Sequence, residues 1–161
     1  MSVRQHAVTC LVQNEAGTIN RLVSTFRRRG FSLASFNAGD CEQPGFSRLT
    51  LVLNADDAQL AFCLKQLKRL IDVVEVEDLA PDDRIMREVA LVSFDPGQVD
   101  REKVLAVASE YEAKVEYDQE HCLVLQYTGP VRLVEQYLRA LQAFPVLEIV
   151  RSGPVALKVA R

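Results

Sequence analysis

The 161-residue sequence predicts an α+β protein made of two βαββαβ units in tandem, each with the ferredoxin-like plan. Three observations predict it. Apolar residues switch between strand period and helix period in the same order twice. Turn-forming clusters separate the elements, at Gln43-Pro44-Gly45, Asp95-Pro96-Gly97 and Thr128-Gly129-Pro130. Ala80-Pro81-Asp82-Asp83 then interrupts the chain where the pattern restarts, dividing it into residues 1–80 and 81–161.

In the first half, His6 to Gln13 reads as a strand. A helix follows, with Ile19, Leu22, Val23 and Phe26 as its apolar stripe and Gly30 as its terminator. Strands are expected over Ser32 to Ala38 and Ser47 to Leu53. Asp56 and Asp57 suit the first turn of a second helix, striped by Leu60, Leu64, Leu67 and Ile71. Val73 to Leu79 closes the unit as a strand. The second half opens with a strand from Ile85 to Phe94. A helix is striped by Val104, Val107, Ala108 and Tyr111. Lys114 to Asp118 and His121 to Thr128 form a hairpin across Gln119-Glu120. Pro130 stands in the first turn of the last helix, striped by Val131, Val134, Leu138 and Leu141. Val146 to Arg151 is the last strand, and Ser152-Gly153-Pro154 leads into a tail.

The crossover rule puts both helices of a unit on one face of a four-stranded antiparallel sheet. The other face stays open unless something packs on it. Its strands still carry apolar residues, since in the first strand Val8, Cys10 and Val12 alternate with Ala7, Thr9 and Leu11, which argues for pairing with another sheet or subunit.

Composition narrows the function. The net charge is −3 and the pI near 5.5, which argues against nucleic-acid binding, since that needs a basic face. Arg27, Arg28 and Arg29 are the one basic run, and they end a helix, where cations complement the dipole. No stretch approaches the ~18 apolar residues of a membrane span. Met1 to His6 has no signal-peptide core, so a cytoplasmic chain without a membrane partner is expected. Cys10, Cys41, Cys63 and Cys122 are far apart and unpaired in spacing. Cys10, Cys63 and Cys122 read as small buried hydrophobes, with no metal site.

No catalytic constellation is visible. Glu110, Glu112, Asp118 and Glu120 flank a hairpin and read as a solvated face. His121 and Cys122 are adjacent in an expected strand, where neighbours point to opposite faces, so they form no dyad. The informative segment is Asn14 to Gly30. Gly17 sits where a strand ends and a helix begins, and that geometry leaves backbone N–H groups at the positive end of a helix dipole. The segment is either an ordinary turn or a site for a small anion such as an amino-acid carboxylate.

The run Asn-Glu-x-Gly-x-Ile-x-Arg-Leu-x-x-x-Phe-x-x-Arg-Gly at Asn14 to Gly30 resembles the ACT domain of the acetolactate (acetohydroxyacid) synthase regulatory small subunit. Ser47-Arg48-Leu49-Thr50, Lys65 to Val73, Arg87 to Val92 and Arg151 to Leu157 are similar to further family stretches, so the resemblance spans nearly the whole chain. It implies a regulator without chemistry of its own. Its partner is a catalytic large subunit that uses thiamine diphosphate, magnesium and FAD to make acetolactate, early in valine, leucine and isoleucine synthesis. The small subunit raises that activity and confers feedback inhibition, most often by valine. ACT domains pair side by side, which implies a homodimer with the effector at its interface.

Carried over residue by residue, the effector loop is Asn14, Glu15, Ala16, Gly17, Thr18 and Ile19. Gly17 admits close approach of a carboxylate, and Asn14 offers a donor and an acceptor. Ile19 is either an aliphatic wall of the site or part of the core. Where the family has an effector-binding Asn, this chain has Ser32, and a common glycine of the C-terminal signature is Ala156. Cys41 to Gly45 is an individual loop. Two other classes remain. A free-standing ACT-type sensor would need an attached module such as a helix-turn-helix, and a small enzyme would need convergent acid, base or metal groups. Neither feature is visible.

Overall fold

The computed structural model describes residues 2–159. The first half runs β1 (Arg4–Gln13), α1 (Thr18–Arg29), β2 (Ser32–Asp40), β3 (Phe46–Ala55), α2 (Asp57–Leu67), β4 (Val73–Leu79). A 3-10 turn, Pro81–Asp83, leads to β5 (Arg84–Phe94), α3 (Arg101–Glu110), β6 (Lys114–Gln119), β7 (Cys122–Gly129), α4 (Val131–Leu141), β8 (Val146–Arg151) and a short β9 (Val155–Lys158). Both halves are βαββαβ units of α+β class. The first sheet has strand order β2-β3-β1-β4 and the second β6-β7-β5-β8, with β9 pairing β5 off that path.

Local signals act where the residues suggest. Gly30 takes φ 67 and ends α1, with its N–H donating to the Arg27 and Phe26 carbonyls. Asp56 and Gln59 form a reciprocal capping box at the start of α2. Asp100 caps α3 through the Lys103 N–H. Proline stands just before α4 rather than inside it, at position 130.

The first core lies between the helices and one sheet face. Val8, Cys10 and Val12 of β1 pack with Leu49, Leu51 and Leu53 of β3 and with Leu22, Phe26, Leu60, Cys63 and Leu67 of the helices. Direct pairing of Val8 with Leu51 and Cys10 with Leu49 puts these on one face. The second core joins Ala90, Val92 and Phe94 to Leu123, Leu125, Tyr137 and Leu141. Tyr111, Tyr127 and Tyr137 cluster in it, with tilted and edge-on rings at centroid distances of 5.1–6.3 Å.

Four expectations change. Ile19 and Val23 are 40% and 44% exposed, because the buried face of α1 is rotated onto Thr18, Leu22, Thr25 and Phe26. Ile71 lies beyond the end of α2, in a turn, and is 89% exposed. His121 is in the β6–β7 turn rather than in a strand. The second face of the first sheet is not open, since Ala7, Thr9, Leu11, Thr50, Val52 and Leu79 are buried.

The described residues form two compact units, 2–85 with 155–159, and 86–154. The described tail residues therefore belong with the first unit. The Ala156 N–H donates to Thr50 Oγ1 on the second sheet face, Lys158 pairs with Glu77, and the Val159 N–H reaches the Asp83 carbonyl. Inside the second unit, Glu88, 2% exposed, takes two bonds from Arg151 at 2.7 and 2.8 Å. Ser152 bonds the Val89 backbone through both its own N–H and its Oγ.

Candidate functional site

The loop between β1 and α1 is anchored at both ends. The Gln13 N–H donates to the Asp72 carbonyl at 2.8 Å and the Asn14 N–H to the Gly45 carbonyl at 2.9 Å. Asn14, Glu15, Ala16 and Gly17 are exposed, and Thr18 is buried. Gly17 has φ 90 and ψ −9, a left-handed conformation that disfavours a side chain. It also stands beside Arg21, since a Cβ at position 17 would lie 2.9 Å from Arg21 Nη1.

Arg21 is held in place. Its Nε and Nη2 reach the two Asp72 carboxylate oxygens at 2.5 and 2.9 Å, and the Asp72 side chain is 6% exposed. The bond to Asp72 raises the Arg21 guanidinium above its ordinary range, with a smaller push from Glu15. So a fixed cation borders the loop. No side chain caps α1, and its first turn holds no acidic residue. The Thr18 N–H turns back to the Glu15 carbonyl at 3.2 Å. The N–H groups of Ile19 and Asn20 sit in the first turn, where a helix offers no internal acceptor. This end of α1 is suited to a carboxylate.

Ser32 lies elsewhere in the same copy. It pairs with Asn54, which pairs with Gln5, whereas the loop follows Gln13. Eight strand steps separate Gln5 from Gln13, about 26 Å at roughly 3.3 Å each. One chain thus brings Asn14 to Ile19 together but not Ser32. Ser32 instead borders a cavity of about 60 Å³, lined by Phe31, Leu53, Ala55, Gln59 and Cys63 among others. Ile19 faces outward and is not core.

The other residues singled out have structural partners. Asp118 is bonded by Arg101, which lowers its carboxyl below the usual range. Cys10 and Cys63 are buried, and burial pushes both thiols up to about 12. Cys41 is half-buried, and so is Cys122, which departs from the buried reading because it opens β7 beside the β6–β7 turn. Among the described residues, no three metal-ligating side chains converge, and no helix is long and apolar enough to cross a membrane. The Arg21–Asp72 pair was invisible in the sequence, because its members lie 51 positions apart in no recognisable pattern.

Comparison with known proteins decides the family. Residues 8–75 match the family described as the AHAS small subunit-like ACT domain, and residues 87–160 match the small subunit of acetolactate synthase. The acetolactate synthase small subunit of Mycolicibacterium smegmatis is 32% identical over 152 residues, covering 94% of this chain and 89% of that protein. The chain belongs to the acetolactate synthase small-subunit family. A probable acetolactate synthase small subunit from Methanothermobacter thermautotrophicus is 30% identical, with 94% and 91% covered. The crystal structure of the Thermotoga maritima small subunit superposes with a TM-score of 0.88 at 31% identity, over 98% of this chain and 99% of that one. In this family member the ACT-domain match, residues 8–75, falls in the first unit, which also contains the uncapped α1 terminus.

Proposed function

We propose that this chain is the regulatory subunit of an acetolactate synthase. It activates a large catalytic subunit and makes it sensitive to a branched-chain amino acid, valine first, in valine, leucine and isoleucine synthesis. Thiamine diphosphate, magnesium and FAD belong to the large subunit, and this chain carries no cofactor. Full-length similarity to small subunits is the observation that carries the reading.

The effector site in this proposal needs two copies. β2 is an edge strand of the first sheet, and Ile19 and Val23 are exposed on the neighbouring α1. An isologous pair formed along β2 runs the two strands antiparallel about a two-fold axis. Ser32 of one copy then lies at the Asp40 end of the other. That end carries the loop, since Asp40 pairs with Ser47 and Ser47 with Val12. Pairing thus unites Ser32 with Asn14, Glu15, Ala16, Gly17, Thr18 and Ile19, although one chain holds them about 26 Å apart. The amino acid's carboxylate takes the N–H groups after Gly17, where the dipole contributes roughly 0.3–1 kcal/mol.

The test is reconstitution. The chain alone produces no acetolactate from pyruvate. Added to its cognate large subunit it raises turnover, and valine lowers the turnover of the mixture. Unchanged turnover at saturating small subunit overturns the proposal.

A further inference from the structure

The cavity of about 60 Å³ at the start of β2 has an apolar floor and a polar rim. Leu53, Ala55 and Cys63 are buried and form the floor, while Ser32 and Gln59 are exposed. Cys63 stays a neutral thiol, so it acts as a small hydrophobe. The wall is rigid. Gln59 is locked in the capping box with Asp56, and the Phe31 ring is braced by Phe26 and Phe62 at centroid distances of 5.9 and 5.8 Å.

We propose that this cavity receives the aliphatic side chain of the effector, and that Ala55 and Cys63 set the size of side chain accepted. The inference rests on the effector site proposed above, in which Ser32 of one copy faces the α1 terminus of the other. The amino acid's polar end then lies at the rim, between Ser32 and the N–H groups of the second copy, and its side chain points to the floor. Volume selects the side chain. An apolar protein cavity of about 150 Å³ holds benzene, with its six carbons. On that scale, a space of about 60 Å³ holds two or three carbons. The isopropyl group of valine has three. Leucine and isoleucine side chains carry four and phenylalanine seven, so each must displace a buried neighbour, and overpacking is unfavourable.

Titration calorimetry of valine and leucine into four full-length proteins tests the pocket: wild type, Ala55→Val, Cys63→Ala and Gly17→Asp. Ala55→Val fills the floor, and its valine Kd rises about tenfold or more. Cys63→Ala enlarges the floor, and leucine gains on valine by about threefold or more. Gly17→Asp binds neither, because it blocks the carboxylate end. Should Ala55→Val fail to fold, the leucine-to-valine ratio in Cys63→Ala decides alone. Loss of binding in Gly17→Asp, with unchanged affinities in the two floor variants, overturns the pocket and leaves the effector site standing. Absence of binding of either amino acid to wild type overturns both.

Discussion

A side chain at position 17 meets two obstacles, a φ of 90 and the Arg21 guanidinium 2.9 Å from its first carbon. Alanine bears the full left-handed penalty, about 1–2 kcal/mol. Gly17→Ala therefore lowers the unfolding free energy, measured by urea titration, by an amount in that range. Aspartate tolerates the left-handed region better, and its carboxylate can pair with Arg21. It also stands where the effector's carboxylate is proposed to bind. Gly17→Asp is thus expected to fold and to abolish valine inhibition in the reconstituted enzyme, whereas Asn14→Ala only weakens it. Equal inhibition of wild type and Gly17→Asp contradicts the site. Buried acids elsewhere predict the alkaline limit of stability. Burial moves the Cys10 and Cys63 thiols from 9.0 to about 12, and the Tyr137 hydroxyl from 10.0 to about 12. Above the ordinary value the unfolded chain loses these protons while the native chain keeps them, so the native state binds more protons. Stability is complete below about pH 9 and falls as pH rises toward 12. Circular-dichroism melts across this range measure it, and a melting temperature that stays flat to about pH 11 contradicts it.

At the scale of elements, α1 carries two surfaces. Thr18, Leu22, Thr25 and Phe26 face the core, Ile19 and Val23 face out, and α1 leads into the edge strand β2. Val23→Asp leaves the core untouched and puts a charge in the proposed two-fold contact. It is expected to shift the chain from dimer to monomer in sedimentation at tens of micromolar, with its secondary structure intact by circular dichroism. Wild type sedimenting as a monomer removes the pairing itself. The strands, helices and their order were legible because each core element keeps its own period: Val8, Cys10 and Val12 by twos, Leu60, Leu64 and Leu67 by threes and fours. The cap at Gly30 was legible because its physics is local, whereas Asp56, read as a first-turn residue, stands one position earlier as the N-cap. Periodicity gives a face but not its rotation about the helix, so Ile19 and Val23 were placed on the apolar stripe although both face outward. It also does not say where a helix stops, so Ile71 was added to a stripe that ends with Leu67. Gly17 was visible as a glycine at a strand–helix junction. The cation beside it was not, because Arg21 is positioned by Asp72 from the far side of the unit's sequence. The cavity at Ser32 was equally hidden, since Phe31, Ala55 and Cys63 meet only through the fold.

For the whole molecule, the chain order and the compact units do not coincide. The chain enters the second unit at Met86 and leaves it at Pro154, and the tail rejoins the first. The exit is fixed inside the second unit by the Arg151–Glu88 pair and the two Ser152–Val89 bonds. Arg151→Ala leaves the Glu88 carboxylate buried without its partner. With Arg151 itself 39% exposed, a cost of about 1–3 kcal/mol is expected in urea titration. The tail then contributes to the first unit. Ala156 gives its N–H to Thr50, Lys158 pairs with Glu77, and the sheet face that holds Thr9, Thr50 and Val52 is buried. A chain ended at Pro154 therefore loosens the sheet of the ACT domain, far away in sequence. Hydrogen exchange followed by mass spectrometry reads the effect segment by segment. Peptides over Ala7 to Leu11 and Leu49 to Val52 are expected to exchange faster. Peptides over α3, β7 and α4 are expected to stay protected, because their core of Val104, Leu125, Val134, Tyr137 and Leu141 contains no tail residue. Thr50→Val in the full chain removes only the hydroxyl acceptor, so its effect is confined to β1, β3 and β9 and is smaller than that of truncation. Equal acceleration in both units would mean that the tail stabilises the protein as a whole and not the ACT sheet on which Ala156 and Lys158 are seated.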